Sequence, residues 1–392
     1  MRYFLLAVAV VLHIFFYISA LKTHTLDYFF SWGNVHDHQG IDFYQVPNGA
    51  RSYFRGGLLT GNGNDFGYGN YNVYHPFFTI VVGGFFQLFQ PIFSFKLWIF
   101  LHEIIYFALA GYLYLRFRTN KNIYFALLLF LGFFPHYLEI WNGQYHVLLN
   151  VAVFFLLLAS LRKSEKISDA LAYLLSLLVK PIALLYAPAL ILKKRWKTLL
   201  IGAIGFAVVT IPFYLNGDGQ YYISNLLERI KTPISGPPGN FTLDSLLRFW
   251  NIPFYQSMSA KISIALLLLF IQWRCRLNLL QALFLWTSYY LLFYDLVFEY
   301  HYTTLAPFLA IGVLTQKALQ SLFAKILSLS YIFPTPFFLF HFFQFQAVGW
   351  RVTDFGWTIL VLFRILPLII LNFVIIFTQL SNNLFNEQNK IR

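Results

Sequence analysis

Apolar runs long enough to cross a bilayer recur along the whole chain, at about 3–22, 76–92, 96–115, 122–138, 145–161, 167–192, 196–215, 259–273, 277–298, 303–316, 322–344 and 356–379. A helix rises about 1.5 Å per residue, so about 17–25 apolar residues cross a hydrocarbon core of about 30 Å. Unpaired backbone amides are costly in that core, and runs of this length satisfy them as helices. The alternative, a soluble globule, carries about 25% charged residues, whereas this chain has 11% and is 59% apolar. The expected fold is therefore an all-α polytopic membrane protein, a bundle of about 11–13 transmembrane helices forming one integral membrane domain over 1–392. Two extracytoplasmic loops, 23–75 and 217–258, are expected to carry short interfacial helices.

Charge then sets orientation. The net charge of +13 is spread over short clusters between apolar runs, a topology signal rather than a nucleic-acid patch. Lys193-Lys194-Arg195 with Lys197, Arg274 with Arg276, Lys317 with Lys325, and the tail from Lys390 agree with cytoplasmic ends and outer loops at 23–75 and 217–258. Arg116 to Lys121 and Arg162 to Lys166 fall on the wrong side if every run crosses once. A hairpin in 167–192, broken at Lys180-Pro181, and an odd number of crossings over 76–115 would return them. Residues 1–21 read as a retained first helix, because Ile18-Ser19-Ala20 is a poor small-x-small cleavage site. Cys275 is the only cysteine, so no internal disulfide forms.

The polar groups concentrate in the first outer loop. Residues 36–57, HDHQGIDFYQVPNGARSYFRGG, gather Asp37, Asp42, His36, His38, Arg51 and Arg55 beside apolar runs, where ionisable groups are costly and usually functional. Asp42, next to Phe43 and Tyr44, has the surroundings of a general base, with a loop-structuring Asp as the plainer reading. Pro47 and Gly56-Gly57 bracket a short helix over 46–54 that puts Arg51 and Arg55 on one face, toward headgroups or phosphates. Residues 61–72 hold too much Gly and Asn for regular structure. In the second loop, Thr242 is a suitable N-cap for a helix over 243–250.

Other polar positions have competing readings. His36-Asp37-His38 places two imidazoles two apart, which reach one metal only from an extended segment, and no Cys or further His cluster completes a set. His102-Glu103 begins a zinc-protease motif, but residue 106 is Tyr, so a charged pair buried against other helices fits better. Lys180 in an apolar run costs about 2.5–3.5 kcal/mol unless it snorkels or meets an anion such as a phosphate. Asp295, Glu299 and His301 suggest a polar wall on an outer cavity. Neither GxGxxG nor GxxxxGK[ST] is present, so a familiar cytosolic nucleotide loop is absent.

In order along the chain stand Gly40-Ile41-Asp42-Phe43-Tyr44, Arg55-Gly56-Gly57, Tyr74-His75-Pro76-Phe77, Trp141-Asn142-Gly143-Gln144, Lys180-Pro181 followed by a basic loop and Trp196, and Glu299-Tyr300-His301-Tyr302 ahead of Pro307. This series, over about residues 5–310, resembles the GT-C superfamily of membrane glycosyltransferases. More closely, it is similar to glycosyltransferase family 87, which includes polyprenol-phosphate-mannose-dependent mannosyltransferases of bacterial lipid glycans. Two departures bear on sugar and acceptor: Gly143-Gln144-Tyr145-His146 where the family usually has Gly-Gln-x-Asn, and Tyr74-His75-Pro76 where it has Tyr-Pro-Pro.

The resemblance implies a GT-C-like bundle in a bacterial inner membrane that transfers a hexose or pentose, with inversion, from a polyprenyl monophosphate to a hydroxyl of a lipid-linked or cell-envelope glycan. Asp42 falls at the family's catalytic carboxylate. Lys180, His301 and Arg51 or Arg55 are the candidates for the donor phosphate, and His75, Asn142, Gln144 and Glu299 for substrate contacts. No cofactor is implied, and the charge arithmetic needs no metal. The rivals are a lipid-linked oligosaccharide flippase or transporter, disfavoured by the lack of internal repeats, and an O-antigen-type ligase or polymerase, which more typically keeps its catalytic groups in a large late loop.

Overall fold

The computed structural model describes residues 2–23, 25–26, 39–59, 66–67, 72–215, 217, 220, 223–224, 240–252, 258–294, 296–335 and 354–391. His36, Asp37, His38 and Asp295, and most of 61–72, lie outside them. Among the described residues the regular elements are helical, in accord with the all-α membrane reading. They are α1 (Arg2–Ile18), α2 (Ile41–Phe54), α3 (Pro76–Phe86), α4 (Pro91–Phe117), α5 (Ile123–Leu131), α6 (Pro135–Asn142), α7 (His146–Ser160), α8 (Ile167–Val179) and α9 (Ile182–Leu192). There follow α10 (Trp196–Leu215), α11 (Leu243–Phe249), α12 (Met258–Arg274), α13 (Leu279–Phe293), α14 (Leu305–Thr315), α15 (Lys317–Gln320), α16 (Leu322–Leu329) and α17 (Asp354–Ile391).

Among the described residues, four helices are long and apolar enough to cross a membrane: Tyr3–Thr23, Pro91–Phe117, Trp196–Leu215 and Gly356–Phe385. The bent pair α5 and α6 adds a fifth if it counts as one span. Several other apolar runs form helices shorter than the expected bundle of 11–13 spans requires, because turns interrupt them. Gly132 and Pro135 separate α5 from α6, and the extended residue Lys180 with Pro181 separates α8 from the turn leading into α9.

The basic clusters that resisted simple alternation meet the ones that fit it. Arg195 Nη2 donates to the carbonyls of Ala159 (3.4 Å) and Arg162. Thr198 donates from its backbone N–H and its hydroxyl to Glu165 Oε2, each at 2.7 Å. The two ends of the 162–198 stretch therefore lie together, and α8 and α9 form a hairpin turning at Lys180, as the break at Lys180-Pro181 predicts. Likewise, Asn120 and Asn122 donate to the carbonyls of Leu314 and Val313, and Lys325 donates to Asn122 Oδ1 at 2.9 Å. The 116–121 cluster thus shares an end with Lys317 and Lys325.

Helix α2 begins earlier than the sequence predicts, at Ile41 rather than 46, so Pro47 is interior instead of in the first turn. An interior proline removes the amide that the carbonyl four residues back would accept. Here that carbonyl is Phe43 O, and the Tyr145 hydroxyl donates to it at 3.2 Å. The predicted stop holds: Gly56 is left-handed (φ 79°), and the amides of Gly56 and Gly57 donate back to Tyr53 and Ser52 carbonyls at 2.9 Å. Thr242 caps α11 as expected, its hydroxyl accepting from Ser245 N at 2.8 Å.

Glu299 lies in the turn before α14 and is buried against Arg364 of α17, which is 0% exposed. Arg364 Nε donates to Glu299 Oε1 at 2.7 Å, and its remaining nitrogens donate to the carbonyls of Ser330 (3.2 Å) and Phe333 (2.9 Å). The expected cavity-wall acid is thus the partner of a buried arginine. Removing one member of such a pair costs about 3–5 kcal/mol, because it strands the other charge.

Candidate active site

Asp42 occupies the first turn of α2, a position that favours an anion because the first amides of a helix point toward it. It is buried, and two primary amides donate to its carboxylate. Gln45 Nε2, one turn along the same helix, reaches Oδ1, and Gln144 Nε2, from the turn between α6 and α7, reaches Oδ2. Gln144 is itself oriented: its Oε1 accepts from the Tyr74 hydroxyl at 3.0 Å, which directs its NH2 group at Asp42. Amide donors favour the ionised carboxylate, the form able to take a proton.

The turn carrying Gln144 exists because Gly143 ends α6 in the left-handed region (φ 64°). Its carbonyl accepts from Trp98 Nε1 at 3.0 Å, and Gly40 N donates to the preceding Trp141 O at 3.0 Å, which ties this turn to the start of α2. A methyl group on Gly143 would stand 2.7 Å from Phe43 Cβ. A left-handed non-glycine costs about 1–2 kcal/mol before any clash is counted. Gly143→Ala should therefore lower the thermal midpoint of the purified protein and its turnover together. A parent-like midpoint with parent-like turnover would show that this turn does not constrain Gln144.

Lys180, at the tip of the α8–α9 hairpin, lies on the same side. Its Nζ stands 5.9 Å from the centroid of the Tyr300 ring. Asp42 and Glu139 are its acidic electrostatic neighbours, and it acts in turn on His146 and His301. The His301 ring is 5.0 Å from that of His146 and 4.4 Å from that of Tyr300. Its Nδ1 accepts from Phe298 N at 2.8 Å, which leaves Nε2 as the nitrogen that carries the proton. His146 Nε2 pairs with the Thr304 hydroxyl at 3.0 Å.

The structure thus brings Asp42, Gln144, Lys180 and His301 into one cluster, with Asn142 buried two residues before Gln144. It does not bring Arg51 and Arg55 there. They follow Asp42 along the same helix by nine and thirteen residues, so about 13 and 20 Å of helix separate them from it. They line a separate cleft of about 360 Å³ with Phe54, Phe66, Gln87, Phe89 and Pro91. His75 caps α3 instead: Nδ1 accepts from Phe77 N at 3.2 Å and Nε2 pairs with the Thr210 hydroxyl at 3.0 Å. Glu299 faces Arg364.

Sequence reading missed Gln45, Tyr74, His146 and Tyr300. Gln45 was legible in principle, three residues after Asp42 on a helix. The other three gain their place only from packing between distant segments.

The family model for glycosyltransferase family 87 matches residues 72–298, more than half of the chain. No curated protein and no solved structure matches.

Proposed function

Because the chain belongs to glycosyltransferase family 87, and is thus a membrane glycosyltransferase, we propose that it moves mannose or a similar hexose from a polyprenyl monophosphate to a hydroxyl of a lipid-linked or cell-envelope glycan. Transfer is inverting and takes place on the extracytoplasmic face of a bacterial plasma membrane. The observation that carries this reading is a buried carboxylate, held by the amides of Gln45 and Gln144, with Lys180 and His301 in the same cluster.

In this reading Asp42 takes the proton of the acceptor hydroxyl as its oxygen attacks the anomeric carbon, and the bond from that carbon to the phosphate oxygen breaks. The leaving polyprenyl phosphate gains charge as the bond stretches. Cations at its oxygens therefore stabilise the transition state more than the bound donor. Lys180 is assigned the phosphate as a point charge, and His301 is assigned a proton-bearing Nε2 toward the same oxygens. Asn142 and Gln144 are assigned sugar hydroxyls. Arg51 and Arg55 stand too far along α2 to share that phosphate.

The face is tested by labelling. In a chain carrying Cys275→Ser, Arg55→Cys and Asn251→Cys, both at exposed positions, should react with an impermeant thiol reagent added outside intact cells. Labelling only after membrane disruption would place the site in the cytoplasm and end this reading of donor and acceptor.

A further inference from the structure

A second polar cluster lies inside the bundle, built by His13 of α1, His102 and Glu103 of α4, and His136 and Glu139 of α6. His13, His102, His136 and Glu139 are each at most 1% exposed. The transfer steps assigned to Asp42, Lys180 and His301 have no role for them. Ionisable groups in such an interior are costly, and their grouping requires a reason.

We propose that His102, His136 and Glu139 are the ligands of a first-row divalent transition ion, with Glu103 and His13 as the supporting shell. Three observations carry this. The ligand atoms are at metal-shell spacing: Glu139 Oε2 is 3.8 Å from His102 Nε2 and 3.5 Å from His136 Nδ1. Ligands about 2.0–2.2 Å from a tetrahedral ion stand about 3.3–3.6 Å apart, so the two Glu139 contacts need little closure, and all three ligand atoms lie within 4.8 Å of one another. The His102 and His136 rings are nearly parallel (12°) with centroids 5.0 Å apart, and loading would tilt them toward the ion.

The second observation is the outer shell. The opposite ring nitrogens, His102 Nδ1 and His136 Nε2, each stand 3.3 Å from the same oxygen, Glu103 Oε1. A carboxylate behind a ligating imidazole is the usual device for fixing its tautomer and orientation. Glu103 is positioned in turn, since His13 Nε2 lies 2.6 Å from its Oε2, and the other ring nitrogen, Nδ1, lies 3.0 Å from Leu131 O. The third observation is unmet bonding capacity. His102 Nε2 and Glu139 Oε1 are buried without a hydrogen-bond partner, as is His136 Nε2 despite its nearness to Glu103, while the Tyr106 hydroxyl donates to Glu139 Oε2 at 2.9 Å. Two imidazoles and one carboxylate suit Zn2+, Mn2+ or Fe2+. The ion would clamp α6 to α4 directly behind the turn that presents Gln144.

The test uses the full-length protein in lipid nanodiscs, stripped with a chelator, reloaded with Zn2+ or Mn2+ and desalted before metal analysis. The parent should retain about one equivalent per chain and gain thermal stability on loading. Glu139→Gln and the pair His102→Ala, His136→Ala should lose both effects. Co2+ loading of the parent should give visible ligand-field bands that Glu139→Gln abolishes. Retention well below one equivalent of either ion by folded parent protein would overturn the site and leave a cluster held by protons alone. Full retention by the folded double variant would place the ion elsewhere and overturn it equally.

Discussion

Asp42→Asn is expected to slow sugar transfer at least about a hundredfold while leaving insertion, folding and donor binding like those of the parent. General-base assistance is typically worth about 10²–10⁴-fold, or roughly 3–5 kcal/mol of barrier. The amide keeps the shape of the carboxylate and one accepting oxygen for the donors at Gln45 and Gln144, but it cannot take a proton. The loss should therefore fall on kcat rather than on donor KM. Asp37→Asn, at a position assigned only a loop role, should be much milder. If Asp42→Asn keeps more than about a tenth of parental turnover while Asp37→Asn abolishes it, the base has been misassigned.

Lys180→Met is expected to produce the second large effect, of another kind. Methionine keeps the length and the apolar stem but removes the charge proposed to meet the leaving phosphate. Loss of one preorganised donor to developing negative charge costs about 10²–10³ in rate, and the donor's KM should rise as well, while the acceptor's KM stays near that of the parent. The hairpin tip places Lys180 beside Tyr300 and among the electrostatic neighbours of Asp42, His146 and His301, so a snorkelling lysine predicts the opposite result. Parent-like constants for both substrates in the variant would remove Lys180 from the donor site.

Much of the fold was legible because it rests on short-range rules. The apolar runs, the Gly56-Gly57 stop, the Thr242 cap and the break at Lys180-Pro181 are each set by residues within a turn of one another. The start of α2 was not, because Pro47 argues locally for a first-turn position. Its interior place depends on Tyr145, far along the chain, supplying the hydrogen bond that the Phe43 carbonyl would otherwise lack. The site divides in the same way. Asp42 stands out as a carboxylate among apolar neighbours, yet Gln144, which orients it, is 102 residues away in sequence. Glu299 read as a cavity acid because nothing local announces Arg364, 65 residues on, as its partner. Arg51 and Arg55 read as phosphate ligands because sequence proximity to Asp42 hides the length of helix between them. The grouping of His13, His102 and His136 is invisible until three helices pack, which is why His102-Glu103 could be foreseen as a buried pair but not as part of a larger cluster.

The most direct measurement gives the purified protein, in nanodiscs with a glycan acceptor, two donors in parallel: polyprenyl-phosphate mannose and a nucleotide-linked mannose, each carrying label in the sugar. The account predicts that label leaves only the polyprenyl donor, appears on the acceptor in the opposite anomeric configuration, and releases polyprenyl monophosphate in equal amount, with Asp42→Asn silent in the same assay. Transfer from the nucleotide donor, or a retained configuration in the product, would contradict it.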